Sequence, residues 1–264
     1  MKLTQNNYYS IEADKEFLSV SQYKNFFGSL GFKGCESKAI AKLKGDWVEE
    51  TTPAMLIGSY VDSYFEGSLE EFKNRTPQLF KKDGTLKAEY IQAESIIKRI
   101  ERDKKFMQYL SGEKQTIFTG ELFGVNWKAK LDSYIKGKAI VDLKVIKDIN
   151  ERCYIKGIGE TNFIQYWGYD FQLAIYQKLV EINTGEKLPC FIAAADKGKT
   201  TNIEIIQITQ PELDCALVGI QIGVDRIKLL KSGEVEPERC KKCDYCKETK
   251  VIDKPILMSS LIEG

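Results

Sequence analysis

Asp132, Asp142 and Lys144 are the residues here whose types and spacing could do chemistry. The run "FGVNWKAKLDSYIKGKAIVDLKVI" reads as two strands joined at Lys136-Gly137-Lys138. With that turn, Ile135 faces Ala139 and Asp132 falls opposite Asp142. Opposed strand residues hold their Cβ atoms about 4.5–5.5 Å apart on one face, where like charges repel unless something positive lies between them. Lys144 shares the face of Asp142, while Val141, Leu143 and Val145 point into the other layer. Two carboxylates suit a hard divalent cation, and a lysine beside them can orient a water or stabilise charge on a phosphate. The competing reading is a cross-strand salt bridge at a sheet edge.

The elements that must position these residues follow from periodicity. "LSVSQYKNFFGS" reads as a helix start capped by Ser19 or Ser21, and helical patterns recur around 36–44, 53–66 and 86–110. From 115 to 146 the pattern alternates as strands do. A polar loop ("KDINERCYIKGIGETN") precedes one long amphipathic helix, "FIQYWGYDFQLAIYQKLVEIN". Two strands ("LPCFIAAAD", "TNIEIIQIT"), a helix over about 211–231 and a cysteine-rich tail complete the order. This predicts an α/β fold, a mixed β-sheet flanked by helices with a helical N-terminal elaboration. All 264 residues are expected to form one unit: a helical part to about 112, a core over about 113–232 and a Cys-rich segment over about 233–264.

Composition limits the function. The net charge of +1 excludes a strongly basic coat for nucleic acid, but not a local basic groove. The chain has no histidine, so the usual general base and the commonest transition-metal ligand are missing. A polar N-terminus and the lack of a long apolar run predict a cytoplasmic protein with no membrane partner. In a reducing compartment clustered cysteines suggest metal rather than disulfides. Cys240-x-x-Cys243-x-x-Cys246 supplies three thiols, and Cys35 is the expected fourth ligand; spacing alone does not choose iron–sulfur over zinc. Cys153, Cys190 and Cys215 read as ordinary core or surface residues.

Asp132, followed ten residues later by Asp142-Leu143-Lys144, resembles the PD-(D/E)xK nuclease signature. "QLAIY", Gln172 to Tyr176, resembles the Gln-x-x-x-Tyr motif of RecB-like nucleases. Among the branches of that family, the chain resembles the phage and prophage exonuclease VIII-like (RecE-type) group. Its Ser-x-Ser and Cys-Glu-x-x-Ala opening is matched at Ser19, Ser21, Cys35, Glu36 and Ala39, and its cysteine-rich end at "RCKKCDYC". The resemblance spans roughly 19–250. It implies a restriction-endonuclease-like fold and a Mg2+- or Mn2+-dependent exodeoxyribonuclease acting on linear double-stranded DNA, 5′ to 3′. It also implies phage recombination as the setting, a single-strand annealing protein as partner and a ring-shaped homo-oligomer. Asp132, Asp142 and the Leu143 carbonyl would hold the metal, Lys144 would act on water, and Gln172 and Tyr176 would bind DNA.

The family's Gly-x-x-x-His helix is matched by Gly58 with Asp62 at the histidine position. An aspartate offers oxygen to a hard ion, so Asp62 is expected near the metal; Glu121 is a weaker candidate. The histidine's loss also admits a catalytically degenerate member that binds DNA ends or a protein. The resemblance further implies a [4Fe–4S] cluster at Cys35, Cys240, Cys243 and Cys246, with zinc the alternative. A third reading makes the cysteines the point: a redox or zinc-ribbon regulator. Lys128, Lys130, Lys136, Lys138, Lys144, Lys147, Arg152 and Lys156 surround the expected site as a basic surface for DNA, or as an ordinary solvated face.

Overall fold

The computed structural model describes residues 1–258; residues 259–264, the end of the predicted Cys-rich segment, lie outside the described residues. Seven α-helices come first: α1 (Ile11–Glu16), α2 (Val20–Phe27), α3 (Glu36–Lys44), α4 (Pro53–Glu66), α5 (Leu69–Arg75), α6 (Ala88–Glu101) and α7 (Lys104–Tyr109), with a 3-10 turn, Pro77–Leu79, between α5 and α6. Four strands follow: β1 (Thr116–Leu122), β2 (Val125–Leu131), β3 (Ser133–Ile135) and β4 (Ala139–Ile146). Then come β5 (Cys153–Ile155), β6 (Gly159–Thr161), α8 (Phe163–Trp167) and α9 (Tyr169–Thr184). The chain continues with β7 (Cys190–Asp196), β8 (Ile203–Ile208), α10 (Gln210–Ser232) and α11 (Asp244–Glu248).

Local chemistry sets these ends. Ser19 Oγ accepts the Gln22 N–H at 3.2 Å, so Ser19 caps α2. Thr52 caps α4 with Pro53 behind it, and Thr209 with Glu212 forms a capping box on α10. The helix predicted over 163–183 is two helices. Gly168, at φ +65°, ends α8 and stands at the start of α9. The "polar loop" holds the small hairpin β5–β6.

The main sheet runs β3-β4-β7-β8, with β4 parallel to β7 and the other pairs antiparallel. It is the middle of three layers. Val141, Leu143, Ala193 and Ala195 pack on α4, α6 and α7. Ile140, Ile146, Ile192 and Ala194 face α9, α10 and the β1–β2 hairpin. The predicted mixed sheet flanked by helices, with helices leading the chain, is the fold observed.

The predicted pair of strands is corrected at its centre. Ile135 does face Ala139, but the ladder ends at Ser133↔Val141. Residues 125–131 pair instead with β1 in a separate two-stranded sheet. The inner face of β2 (Trp127, Ala129 and Leu131, each 0% exposed) belongs to the core beneath α9, so the chain must turn away before it could continue along β4. Asp132 stands at that fork. It therefore does not pair with Asp142 in a ladder, and the edge of β4 beyond Val141 is left open.

Candidate active site at the fork of two sheets

The open edge is where the acids gather. The Leu143 N–H, with no strand to bond to, donates to Asp132 Oδ2 at 3.0 Å. The Leu143 carbonyl accepts from Lys144 Nζ at 3.3 Å. Asp142 is 1% exposed, and its Oδ2 is ion-paired with the Lys144 ammonium. Both partners sit on β4, so the pair runs along one strand and is not the cross-strand bridge of the competing reading, although it does lie at the opened edge. Asp142 Oδ2 has no well-angled hydrogen bond; the ammonium balances its charge without saturating its lone pairs. From α4, Asp62 arrives over the same edge and shares a small cleft with Asp132, Leu143, Glu66 and Lys114. Asp62 has no hydrogen-bond or ion-pair partner among the described residues.

The electrostatics follow from crowding in a dry place. Burial, then the Asp142 charge, raises Asp132 to about 7; Lys144 and the Leu143 N–H oppose the rise, and Glu66 adds to it. Burial and then Asp132 hold Asp62 well above the usual carboxylate range. Burial would lower the Lys144 amine, but Asp142 and Asp132 outweigh it and hold the amine protonated.

Gln172 on α9 donates from Nε2 to Asp142 Oδ1 at 2.7 Å and to Tyr176 Oη at 3.0 Å. Both motif side chains are thus at the site, and Gln172 fixes a carboxylate directly. Glu121 is exposed and lines a different groove with Lys15 and Lys228, away from Asp132 and Asp142. That corrects the weaker metal candidate.

Sequence reasoning missed several neighbours. Glu66 lies one helical turn beyond Asp62, a spacing that does signal a shared face. Lys24 lies far from the motif in sequence. Burial and then Lys144 bring its amine down to about 8, and Nζ donates to the Trp167 carbonyl at 3.0 Å. Both amines lie over the Tyr169 ring, Lys24 Nζ at 5.5 Å and Lys144 Nζ at 5.1 Å from its centroid. No local pattern announces either residue.

A groove of about 720 Å³ opens over Lys144. Asp62, Lys147, Arg152, Tyr154, Trp167 and Lys197 are among its walls. Tyr154 is 75% exposed and Trp167 44%, flat faces beside cations, as single strands of nucleic acid require. The predicted basic surface is only partly here. Lys128 is 1% exposed, ion-paired with Asp14 at 2.7 Å and donating to the Tyr8 carbonyl at 2.5 Å. Lys130 lies over the Tyr8 and Tyr9 rings, and Lys136 and Lys138 sit on the turn at the far end of β4. Lys156 is exposed on the β5–β6 turn. Lys128→Met should lower unfolding free energy by about 1–3 kcal/mol in a denaturant titration, because its charged hydrogen bonds are made in the interior.

The four remaining cysteines also meet. The Sγ atoms of Cys35, Cys240, Cys243 and Cys246 all lie within 4.8 Å of one another. Cys190 is buried in β7, Cys215 exposed on α10 and Cys153 half-buried on β5.

A three-layer fold with Asp132, Asp142 and Lys144 gathered at an opened strand edge places this chain in the PD-(D/E)xK superfamily. Residues 19–249 match a family described as "PDDEXK-like domain of unknown function (DUF3799)", and the chain belongs to that family. It is also similar to the crystal structure of a protein from Eubacterium rectale described as "Putative exonuclease": 53% identity over 100% of this chain and 99% of that one, TM-score 0.98. No curated protein matches the chain. Among the described residues, no helix is long and apolar enough to cross a membrane.

Proposed function

We propose that the protein is a divalent-metal-dependent nuclease that hydrolyses phosphodiester bonds of DNA from the ends of linear duplex. The convergence of Asp132, Asp142, Lys144 and the Leu143 carbonyl on one open strand edge carries this reading. The donor set fits Mg2+ or Mn2+: hard oxygen atoms, one of them buried with no well-angled hydrogen bond, around a spot where an ammonium now balances the charge. Asp132, Asp142 and the Leu143 carbonyl would hold the ion, with Asp62 beside them. Bound there, it would lower the pKa of water and neutralise phosphate charge.

The chain's own groups do the rest. Lys144, kept protonated, serves as a donor and a positive charge toward a phosphate oxygen rather than as a base. It must first swing off Asp142 Oδ2. Gln172 keeps Asp142 oriented meanwhile, and Tyr176 supports Gln172. Through them the Gln-x-x-x-Tyr pair would act on substrate at the site's rim.

The related exonuclease structure supports end-directed cleavage. The 5′-to-3′ direction, the ring-shaped homo-oligomer, and the annealing partner in phage recombination rest on the RecE-type resemblance. One observation favours the second reading, a member that binds DNA without cutting it: Asp142 is 1% exposed beneath Lys144. The deciding test is incubation of end-labelled linear duplex and covalently closed circular DNA with Mg2+, with Mn2+ and with EDTA. Metal-dependent loss of the linear form alone supports the proposal. Binding without cleavage in either metal replaces it with the second reading.

Groove contact has its own signature. The Lys147–Glu151 and Arg152–Glu160 pairs are exposed and weak, so both cations are free to turn to phosphate. Lys147→Ala with Arg152→Ala should make log K against log[salt] shallower by about 0.9 per lost duplex contact. Fluorescence anisotropy in EDTA reads this slope; an unchanged slope places the DNA elsewhere.

A further inference from the structure

The cysteine cluster rests on a frame of bonds that the thiols do not make. Cys35 is 3% exposed at the N-cap of α3, where its side chain makes no capping bond. The C-terminal segment is tied down beside it. Ser37 N–H donates to the Glu238 carbonyl at 3.1 Å, and Ser37 Oγ donates to the Pro237 carbonyl at 2.9 Å. Arg226 grips Glu36 with two bonds, at 3.0 and 2.8 Å, and Glu36 accepts the Glu238 N–H at 2.8 Å. Beyond the thiols, Tyr245 packs edge-on against Trp47, with ring centroids 5.5 Å apart. Cys35 and Cys246, 211 residues apart, therefore meet on a frame of other bonds.

The sulfur spacing discriminates between ligands. Cys35 Sγ lies 3.6 Å from Cys246 Sγ, and Cys240 Sγ lies 3.9 Å from Cys246 Sγ. With Zn–S near 2.3 Å, a regular tetrahedron sets its sulfurs about 3.8 Å apart. In a [4Fe–4S] cubane each cysteine sulfur stands outside an iron corner, which spreads the sulfurs to roughly 6 Å and fills the space between them with iron and sulfide. All four thiols here lie within 4.8 Å, so that space does not exist. Cys240 Sγ also accepts the Cys243 N–H at 3.3 Å, a bond that orients a sulfur toward a shared centre.

We infer that Cys35, Cys240, Cys243 and Cys246 hold a single tetrahedral thiophilic ion, zinc, and that the [4Fe–4S] cluster implied by the resemblance does not fit. The ion fastens α3 to the C-terminal segment. A closed four-thiolate shell leaves no position for substrate, so its role is structural.

The full-length protein, expressed in iron-supplemented medium, purified anaerobically and dialysed against EDTA to strip weakly held ions, is the sample. Expected are about one zinc per chain, no acid-labile sulfide and no absorbance band near 400 nm. Reconstitution with cobalt(II) should give the visible bands of a tetrahedral thiolate site. Cys243→Ser should lose the ion, while Cys215→Ser, on an exposed face of α10, should keep it. Four irons with four sulfides per chain would overturn the inference. So would a chain holding neither metal, or a folded Cys243→Ser chain that retains zinc. If Cys243→Ser does not fold, the wild-type metal count and the cobalt spectrum still decide. None of these readouts depends on DNA cleavage, so their failure would leave the nuclease proposal standing.

Discussion

Lys144→Ala is expected to reduce metal-dependent degradation of linear duplex by about 10²–10⁴-fold while DNA binding persists, because a positioned donor contributes about that much to a transition state. The side chain has two jobs, and they separate experimentally. It is the charge partner of Asp142, which is 1% exposed. Removing one member of a buried pair costs up to about 3–5 kcal/mol; the 19% exposure of the Lys144 side chain admits water and reduces that figure. Circular dichroism and a thermal melt should therefore show a folded, less stable chain. A merely structural lysine would predict activity recovering at low temperature, where the variant is fully folded; a reacting one predicts that the loss remains. Metal affinity supplies a third readout. Lys144 competes with any cation for Asp142 Oδ2, so Lys144→Ala should bind Mg2+ as tightly as wild type or more tightly. Cleavage within tenfold of wild type in a folded variant would remove Lys144 from the reaction.

The site was readable where local rules apply and unreadable where the sheet forks. The alternation of "AIVDLKVI" placed Asp142 and Lys144 on one face, and the i, i+4 spacing joined Gln172 to Tyr176. Asp62 came from the resemblance, which puts it at the histidine position of the Gly-x-x-x-His helix; its own spacing says only that it is a polar position on a helix. What the sequence hid was the break at Asp132. A strand pattern continues across residues 125–135, and period-2 alternation is the same whether a chain stays on one partner or changes sheets. Burial of Trp127, Ala129 and Leu131 under α9 decides the matter, and that is tertiary information. Lys128 misled for the same reason. It reads as a surface cation in an alternating strand, yet Asp14 and the Tyr8 carbonyl lie over it. Lys24 and Tyr169 reach Lys144 from α2 and α9, and only the folded chain brings them together. The cysteines were the opposite case: three thiols in seven residues announce a shared ligand in the sequence itself, and the resemblance, with one N-terminal cysteine and three near the C-terminal end, pointed to Cys35 as the fourth.

Divalent-metal affinity should rise about tenfold per pH unit from pH 5 to 7 and flatten above about 7. The cause is Asp132, whose carboxyl is raised to about 7 by burial and the Asp142 charge. A cation and a proton compete for the same oxygens, so below that value each binding event must release a proton. Asp62, also held above the usual range, steepens the dependence if its proton leaves too. Calorimetry in two buffers of different ionisation enthalpy measures the release directly. The same shift affects stability without metal, with the opposite sense. Unfolded, an aspartate titrates near 3.9. Between that value and about 7 the folded chain holds one proton more than the unfolded chain, so stability falls as pH rises through the window, by about 1.4 kcal/mol per unit at most. Above 7 both states are ionised at this position and the slope ends. Saturating Mg2+ should reverse the trend, since the ion binds the folded chain and its affinity grows with pH. Asp132→Asn carries no titrating proton, so it should flatten the metal-free stability profile relative to wild type and weaken metal binding at every pH. A wild-type affinity that is constant from pH 5 to 7, with no proton released, would mean that the ion does not displace the Asp132 proton. The fork between the two sheets would then hold charge for the fold alone.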